Sequence, residues 1–280
     1  MSEADLAGGL RLSRASGWNQ TLADWRLLLS LGPGLFRVGL QGDRIVASGG
    51  AVRYGGALAW VCMILVEPAC RGRGLGMRVF DEVLLGLKQL VAGGELAAVG
   101  LDATPEGRPI YALQGFVEAA ALVRMSLPAA RGGAVACPTA VRATRPADLP
   151  AVLALDREVF GADRSLLLQH ALASAPDLAR VATRGRELRG FCLGRHGEHS
   201  DHLGPVLGDG ETARELVAGC LSERRERELI LDARVTASWI AELEGLGFRV
   251  QRPFTRMYLG DPRPPARPGL EHAVRGPEFG

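Results

Sequence analysis

The residues with the clearest potential for chemistry run from 66 to 76, Val-Glu-Pro-Ala-Cys-Arg-Gly-Arg-Gly-Leu-Gly. An apolar run at 60–66 predicts a buried strand before them, and apolar residues at spacings of three and four predict a helix after them. Glycines let the backbone approach a ligand closely, and the N–H groups at a helix start point toward it. Together with the charges of Arg71, Arg73 and Arg78, this pattern predicts a site for a phosphate or pyrophosphate.

The glycine spacing narrows the kind of ligand. A Walker loop requires Gly-Lys-Ser/Thr and a dinucleotide fingerprint requires Gly-x-Gly-x-x-Gly, and residues 72–76 fit neither. The pattern Arg-x-x-Gly-x-Gly after Val-x-Pro resembles the acetyl-CoA loop of the GNAT acyltransferase superfamily. The resemblance implies that the loop holds the pyrophosphate of coenzyme A and that the preceding strand bonds the pantetheine. The cofactor-binding residues implied are Leu65, Val66, Arg71, Gly72, Arg73, Gly74, Leu75 and Gly76. A purely structural turn is the alternative.

A second motif begins where the next strand is predicted to end. Asp102 and the Thr104-Pro105 pair precede a short predicted helix, which Gly115 is expected to terminate. Tyr-x-x-x-Gly-Phe, starting at Tyr111, resembles the second GNAT motif, and this resemblance implies that Tyr111 protonates the leaving thiolate. A phenol of ordinary pKa, about 10, is protonated at neutral pH. The alternative is a core aromatic whose hydroxyl faces solvent.

The resembled chemistry is direct attack of an amine on the acetyl thioester, which requires that the amine lose a proton. The predicted strand at 58–66 contains neither an acid nor a histidine that could accept it. Asp102, Glu118 and Asp24 are therefore considered as bases, and Trp60, Tyr54 and Trp18 as walls of an acceptor pocket. Because large aromatics at strand spacing are usually core residues, core packing is the favoured reading of those three.

Composition limits the other classes of function. A chain of 280 residues with 47% hydrophobic residues has room for one large or two modest domains. The absence of an 18-residue apolar run, a start without basic residues and an odd count of five cysteines lead us to expect a cytoplasmic protein with reduced thiols and no membrane partner. The net charge of +2 gives no support for a nucleic-acid partner. Many arginines beside a single lysine indicate a GC-rich bacterial genome.

An internal repeat organises the chain. Leu-Asp-Ala, Gly-Phe and Arg-Met occur in one order at 101–103, 115–116 and 124–125, and again at 231–233, 247–248 and 256–257. We therefore predict an α/β (α+β) fold with two tandem GNAT-like domains, each a mixed, mostly antiparallel twisted sheet flanked by helices. The predicted division is an N-terminal domain at 1–128, a linker at 129–138, a C-terminal domain at 139–260 and an extended or disordered Pro-rich tail at 261–280.

Within the first copy, the pattern predicts a strand over Leu10–Arg14, a helix over Thr21–Leu31 and a closing hairpin that ends at Leu127. The second copy carries Gly204 to Glu211 where the first carries its loop, and Asp209 and Glu211 put negative charge at the place of a phosphate. The second domain is accordingly expected to lack a coenzyme A site of the same kind.

Three histidines at 196, 199 and 202 lie in a segment rich in Gly, Ser and Asp, which favours a solvated connection over a zinc site. No metal is expected, and acetyl-CoA is the expected cosubstrate. The overall prediction is an N-acetyltransferase that acts on an amine of a small molecule or peptide, as a monomer or homodimer. The alternative is a non-catalytic sensor that binds an acyl-CoA.

Overall fold

The computed structural model describes residues 1–129, 136–185, 187–222, 227–260 and 267–280. The helices within these ranges are α1 (Leu6–Ala15), α2 (Leu22–Leu31), α3 (Leu75–Ala92), α4 (Arg108–Leu113), α5 (Leu149–Phe160), α6 (Ser165–Ser174), α7 (Gly210–Ser222) and α8 (Ala237–Gly245). The strands are β1 (Arg37–Gln41), β2 (Arg44–Tyr54), β3 (Leu58–Val66), β4 (Ala98–Ala103), β5 (Val117–Leu127), β6 (Val141–Ala143), β7 (Arg180–Arg184), β8 (Glu187–His196), β9 (Asp201–Leu207), β10 (Leu229–Arg234), β11 (Arg249–Gly260) and β12 (Glu271–Val274).

The chain forms two compact units whose bounds differ from the predicted domains. Unit 1 comprises Met1–Leu101, Tyr258–Pro262 and Phe279, and unit 2 comprises Asp102–Met257, Arg263–Glu278 and Gly280. The predicted linker at 129–138 falls inside unit 2, and its residues 130–135 lie outside the described residues. Each unit therefore contains chain from both sequence repeats.

Unit 1 contains the strand order β1-β2-β3-β4, antiparallel up to β3 and parallel between β3 and β4. Its longest helix, α3, forms because buried side chains recur at Val79, Val83, Leu84 and Leu87 on one face. Full burial of such a side chain contributes about 1.5–3 kcal/mol to folding. The α2 helix starts at a capping box, in which Thr21 accepts from the Asp24 amide and Asp24 accepts from the Thr21 amide.

Unit 2 contains the strand order β11-β5-β10-β12-β9-β8-β7-β6, which is again mostly antiparallel. Strands β9 and β10 pair in parallel at Asp201–Leu203 and Leu229–Leu231. Beyond that point β12 lies between them, because Asp232 pairs with Val274 and Glu271 pairs with Leu207. The predicted fold class, with mixed and mostly antiparallel sheets flanked by helices, is confirmed.

The repeated motifs of the two copies pair with each other within unit 2. Arg124 of the first repeat forms a bidentate ion pair with Asp232 of the second, at 2.8 Å for both hydrogen bonds. Arg256 of the second repeat forms the matching pair with Asp102 of the first, at 2.9 and 2.8 Å. All four side chains are less than one-tenth exposed. The repeat detected in the sequence therefore corresponds to two reciprocal buried ion pairs that join its copies.

Three predicted elements are wrong. Leu10–Arg14 belongs to helix α1, because Leu6, Gly9 and Leu12 are buried at helical spacing. The predicted closing hairpin is one long strand, β5, and its antiparallel partner is β10. The predicted tail is not a free extended or disordered segment at 271–274, where it forms β12 and pairs with β9 and β10, while residues 261–266 lie outside the described residues.

Candidate functional site

The loop that follows β3 has the backbone predicted for an anion site. A short 3-10 helix at Pro68–Cys70 turns the chain, and Gly72 and Gly74 then adopt left-handed φ values of 75° and 73°. Gly74 is the N-cap of α3, and the first hydrogen bond of that helix runs from the Arg78 amide to the Gly74 carbonyl at 3.1 Å. The Leu75 and Gly76 amides precede that bond, so they have no carbonyl partner within the helix. The loop therefore presents N–H groups at a helix start.

The charges around the loop leave it positive. Glu67, the acidic residue nearest to it in sequence, is engaged by Arg11 at 3.3 Å and by Arg44 at 3.1 Å. The hydrogen bond from Arg44 lowers the pKa of Glu67. Arg71 donates to the Val66 carbonyl at 3.2 Å and to Ser16 at 3.3 Å, which fixes its side chain beside the end of β3.

The remaining two arginines of the loop region are exposed. Arg73 and Arg78 lie on either side of the helix start. Gly76 lies close to β3, because a Cβ at that position would come within 3.2 Å of the Val66 Cγ2 atom. Positive side chains at the surface and a helix start held against the strand favour an anion at this place.

Strands β3 and β4 separate beside this loop. They pair only from Leu58 to Trp60 and from Ala98 to Gly100 within the described residues. The rest of β3, up to Val66, keeps its antiparallel partner β2 on the other edge. Within the described residues, the edge of β3 that faces away from β2 therefore has no β4 partner beyond Trp60, and the Val66 carbonyl accepts from Arg71 there.

A β-bulge interrupts β3 in this region, and sequence reasoning missed it. Ser48 pairs with Leu65 while Gly50 pairs with Cys62, so β3 has an extra residue here. Met63 has φ of 57°, a left-handed value that costs a non-glycine residue about 1–2 kcal/mol. Such strain clusters at functional sites.

Two neighbours on β2 accommodate the bulge. Ser48 is fully buried and donates its hydroxyl hydrogen to the Met63 carbonyl at 3.0 Å. A Cβ at Gly49 would lie 2.6 Å from Ile64 Cδ1 and 2.8 Å from Val79 Cγ1, so any larger residue would require these side chains to move. The consecutive glycines 49 and 50 in the middle of a strand were the available sequence signal for this bulge.

Tyr111 lies on α4 in unit 2. Its ring is half-buried and contacts Phe116, with a centroid distance of 6.2 Å. Burial raises the pKa of Tyr111 to about 12. The phenol is therefore protonated throughout the physiological range. The predicted helix start is three residues early, because α4 begins at Arg108 and Thr104 accepts instead from the Gly107 amide at 3.3 Å.

Each carboxylate considered as a base has a structural partner. Asp102 is held by Arg256, Asp24 caps α2, and Glu118 pairs with Arg108 at 2.5 Å. The side chain of Asp102 is fully buried in its ion pair, which leaves no path to a substrate proton. These contacts give no support for any of the three as the general base.

The aromatic residues suggested for a pocket are mostly core residues. Trp60 is fully buried and packs edge-on against Tyr258, with ring centroids 5.9 Å apart. Tyr54 is also buried and donates to the Phe279 carbonyl at 2.6 Å. Trp18 alone is half-buried. The favoured reading of Trp60 and Tyr54 as core residues therefore agrees with the structure.

The predicted solvated connection is confirmed for only part of the histidine segment. His199 is exposed between β8 and β9. His202 is fully buried on β9, with Nε2 at 3.0 Å from Asp232 Oδ2, and His196 lies between Asp177 and Asp201. The described residues include no group of three or more His, Cys, Asp and Glu side chains arranged to hold a metal ion. All five cysteines are free thiols. No helix in the described ranges is long and apolar enough to cross a membrane.

The connection from β9 to α7 in unit 2 corresponds to the connection from β3 to α3 in unit 1, but its helix start carries a different group. Asp209 accepts from the Thr212 amide at 2.9 Å and so caps the helix start with a carboxylate. Hydrogen bonds from the Thr212 side chain and amide lower the pKa of Asp209. In addition, β12 occupies the space between β9 and β10 that corresponds to the opening between β3 and β4 in unit 1.

Unit 1 thus combines a strand, a glycine-rich loop and a helix start beside two separating strands. Comparison with known families gives a match for another part of the chain. Residues 152–270 match the model of an acetyltransferase (GNAT) domain. This match covers 119 of the 280 residues and shows similarity to a GNAT acetyltransferase domain over that part of the chain. The family-model match falls on the second half of the chain, where the sequence motifs are weaker.

Relatives and solved structures extend over nearly the whole chain. The chain is 25% identical over 252 residues to holothin acyltransferase of Pseudoalteromonas sp. (strain SANK 73390), covering 88% of this chain and 82% of that relative. It superposes with a TM-score of 0.77 and 20% identity on a putative acetyltransferase from Pyrococcus horikoshii, covering 100% and 94% of the two chains. A tandem GNAT protein from the clavulanic acid biosynthesis pathway matches with a TM-score of 0.61 and 16% identity, over 92% and 95%. The last two likenesses concern the fold.

Proposed function

We propose that this protein is an acetyl-CoA-dependent N-acetyltransferase whose coenzyme site is in unit 1. The observation that carries the proposal is the loop at 66–76, with left-handed Gly72 and Gly74 leading into the start of α3 beside exposed Arg73. The glycines fit a pyrophosphate because the space beside them is open, with no atom within 4 Å of an added Cβ at either position. The amides at Leu75 and Gly76 would donate to its oxygens.

The backbone of β3 would hold the rest of the coenzyme. Leu65 and Val66 lie past the point where β4 separates from β3, so backbone groups here that Arg71 does not occupy would bond the amides of a pantetheine chain. The bulge at Met63 redirects the local N–H groups, and one of these amides would donate to the thioester carbonyl as negative charge develops on its oxygen.

Acetyl transfer then balances as follows. The lone pair of a neutral amine attacks the thioester carbonyl carbon, a C–N bond forms, the C–S bond breaks and the sulfur leaves as a thiolate. The nitrogen loses one proton to water, since Asp24, Asp102 and Glu118 are engaged elsewhere. Tyr111, which stays protonated, would donate a hydrogen bond to the thiolate.

The acceptor is proposed to be an amine on a small molecule or peptide. A relative named for acylation of holothin supports including that compound among the candidate acceptors. The second domain is proposed to lack a coenzyme site, which the Asp209 cap and the position of β12 support.

Binding can be tested by charge reversal in the loop. Arg73→Glu should reduce acetyl-CoA affinity at least 100-fold in calorimetry, because it replaces attraction to a pyrophosphate with repulsion. Lys88→Glu is the matched control, since it makes the same change in charge on α3, about 20 Å along that helix from its start beside the loop. Equal affinities in the two variants would refute the loop as the site.

Activity can be tested by the release of free thiol from acetyl-CoA in the presence of an amine panel that includes holothin. Turnover with at least one amine, lost in Arg73→Glu and retained in Lys88→Glu, is the expected result. Tight coenzyme binding without turnover on any amine would instead favour the sensor function.

A further inference from the structure

The bulge in β3 places two residues opposite a single residue of β2. Met63 and Ile64 both lie opposite Gly49, and the regular pairing resumes where Ser48 meets Leu65. The peptide unit between Met63 and Ile64 therefore lies outside the regular ladder, and its direction has to be set by other contacts.

The hydroxyl of Ser48 sets the direction of this peptide unit. It donates to the Met63 carbonyl at 3.0 Å. Ser48 is fully buried, so water does not compete for this hydrogen bond. Because Ser48 belongs to β2, the Met63 carbonyl points toward β2. A side chain thus takes the place of the backbone N–H that a regular ladder would supply.

The direction of the Ile64 amide follows from that of the carbonyl. The peptide bond between residues 63 and 64 is trans, and in a trans peptide the C=O and N–H groups point in opposite directions. The Ile64 N–H therefore points away from β2, toward the edge from which β4 has separated. Two residues further on, the Val66 carbonyl accepts from the Arg71 side chain at 3.2 Å, so groups outside the sheet reach this edge.

The side chain of Ile64 is held as well. A Cβ added at Gly49 would lie 2.6 Å from Ile64 Cδ1 and 2.8 Å from Val79 Cγ1, so these two side chains meet above Gly49. Val79 is buried on α3. The peptide unit is therefore fixed at its carbonyl by a hydrogen bond and at its following residue by packing.

A fixed N–H at an open strand edge is suited to stabilise developing charge. In the proposed reaction, the thioester carbonyl oxygen becomes negative as the amine attacks, and a donor that is already oriented stabilises it without reorganisation. The φ of 57° at Met63 is unfavourable for a residue with a Cβ. Without the hydroxyl of Ser48, the chain would relax toward ordinary strand geometry, and that relaxation would turn the Ile64 N–H away.

We propose that Ser48 is a positioning residue for acetyl transfer. Its hydroxyl holds the Met63 carbonyl so that the Ile64 N–H donates to the thioester carbonyl oxygen. This assignment rests on the function proposed above, because it requires acetyl-CoA to lie along β3. Ser48 itself does not touch the substrate, since it is fully buried.

The test is infrared spectroscopy of isotope-labelled acetyl-CoA bound to the full-length protein, which requires no acceptor. Binding to the wild type should move the thioester carbonyl stretch to lower wavenumber, because a donated hydrogen bond weakens the C=O bond. Ser48→Ala should lose most of that shift. Its acetyl-CoA affinity in calorimetry should stay within about threefold of wild type, because the loop at 66–76 is unchanged. Equal shifts in the two proteins would overturn the proposal.

Two further variants separate positioning from stability. Ser48→Thr keeps a hydroxyl and should keep the carbonyl shift. Ser13→Ala is the matched control, because Ser13 is also fully buried in unit 1 and accepts from Trp25 Nε1 at 3.1 Å. It should lower stability in urea about as much as Ser48→Ala and leave the shift unchanged. A lost shift in Ser13→Ala, or equal losses in Ser48→Thr and Ser48→Ala, would assign the effect to packing and overturn the proposal.

Turnover supplies a second measurement. With a panel amine that the wild type acetylates, Ser48→Ala should lower kcat about 10- to 100-fold, less than the loss of about 100- to 1,000-fold typical of a deleted donor, because the N–H is displaced and not removed. The KM for acetyl-CoA should change little, and an unchanged kcat would overturn the proposal. A wild type that does not bind acetyl-CoA would refute the proposed function itself, whereas binding with no difference between wild type and Ser48→Ala would refute only the role of Ser48.

Discussion

Replacing Tyr111 by phenylalanine removes the hydroxyl and keeps the ring that contacts Phe116. The size of the effect depends on whether the phenol transfers its proton fully to sulfur or only donates a hydrogen bond. Burial sets the pKa of Tyr111 at about 12, whereas an ordinary thiol has a pKa of about 8.5. Full transfer is therefore uphill by about 3.5 pKa units, or about 4.8 kcal/mol.

We therefore expect Tyr111 to stabilise the departing thiolate mainly by donating a hydrogen bond, and not by transferring its proton. Hydrogen bonds to charged groups contribute about 1.5–3 kcal/mol. This corresponds to a loss of about 10- to 150-fold in kcat for Tyr111→Phe. Acetyl-CoA affinity should be unchanged, because the interaction forms only as sulfur becomes negative.

The assay is thiol release at saturating acetyl-CoA with an acceptor from the amine panel, between pH 7 and pH 10. Tyr258→Phe is the control, since it removes a phenol elsewhere and keeps the ring that packs on Trp60. A loss above about 1,000-fold would indicate full proton transfer, contrary to the raised pKa. A loss below threefold would remove Tyr111 from the mechanism.

Three further predictions concern folding and the loop. Arg124→Met should lower the free energy of unfolding in urea by about 3–5 kcal/mol by leaving the Asp232 carboxylate buried without its ion pair, and Asp232→Leu in the same chain should recover much of that loss. Burial lowers the pKa of His202, so the neutral ring stabilises the fold above pH 6.5, and this stabilisation is lost as the pH falls below 6.5. In urea titrations, the free energy of unfolding of the wild type should fall by up to about 1.4 kcal/mol per pH unit more than that of His202→Asn. Equal slopes for the two proteins would refute this. Gly74→Ala forces a left-handed alanine and should cost about 1–2 kcal/mol of stability while weakening acetyl-CoA binding, whereas unchanged binding would show that the amides beyond Gly74 do not contact it.

The local elements of the coenzyme region could be predicted because they depend on local rules. Apolar periodicity fixed α3, and the glycine and arginine pattern located the loop before any geometry was known. The prediction of a strand over Leu10–Arg14 was wrong because Leu10 and Leu12 alternate with polar residues, a pattern that is typical of a strand in so short a window. The burial of Leu6 and Gly9 shows that a window one turn longer has helical period.

Strand partners could not be predicted. Apolar alternation indicates that a strand has a buried face, but it does not indicate which strand lies beside it. The sequence of β5 is compatible with a hairpin, yet its partner is β10, about 100 residues away. The prolines before residue 269 concealed β12, whose Glu271 pairs with Arg234 in the interior. Glycines 49 and 50 were a sequence signal for the bulge at Met63, but its exact position depends on the hydrogen bond from Ser48 to the Met63 carbonyl, which only the folded sheet displays.

The exchange of chain between the two units has a consequence for biosynthesis. Unit 1 uses Tyr258 against Trp60 and the Phe279 carbonyl for Tyr54, so its core is incomplete until residue 279 has been translated. At about 5–20 residues per second, roughly 180 residues separate Leu101 from that point, a delay of about 10–40 s. During this interval the nascent first unit exposes apolar surface around Trp60 and Tyr54. The chain is therefore expected to depend on ribosome-associated chaperones more than a protein whose N-terminal domain is complete when it emerges.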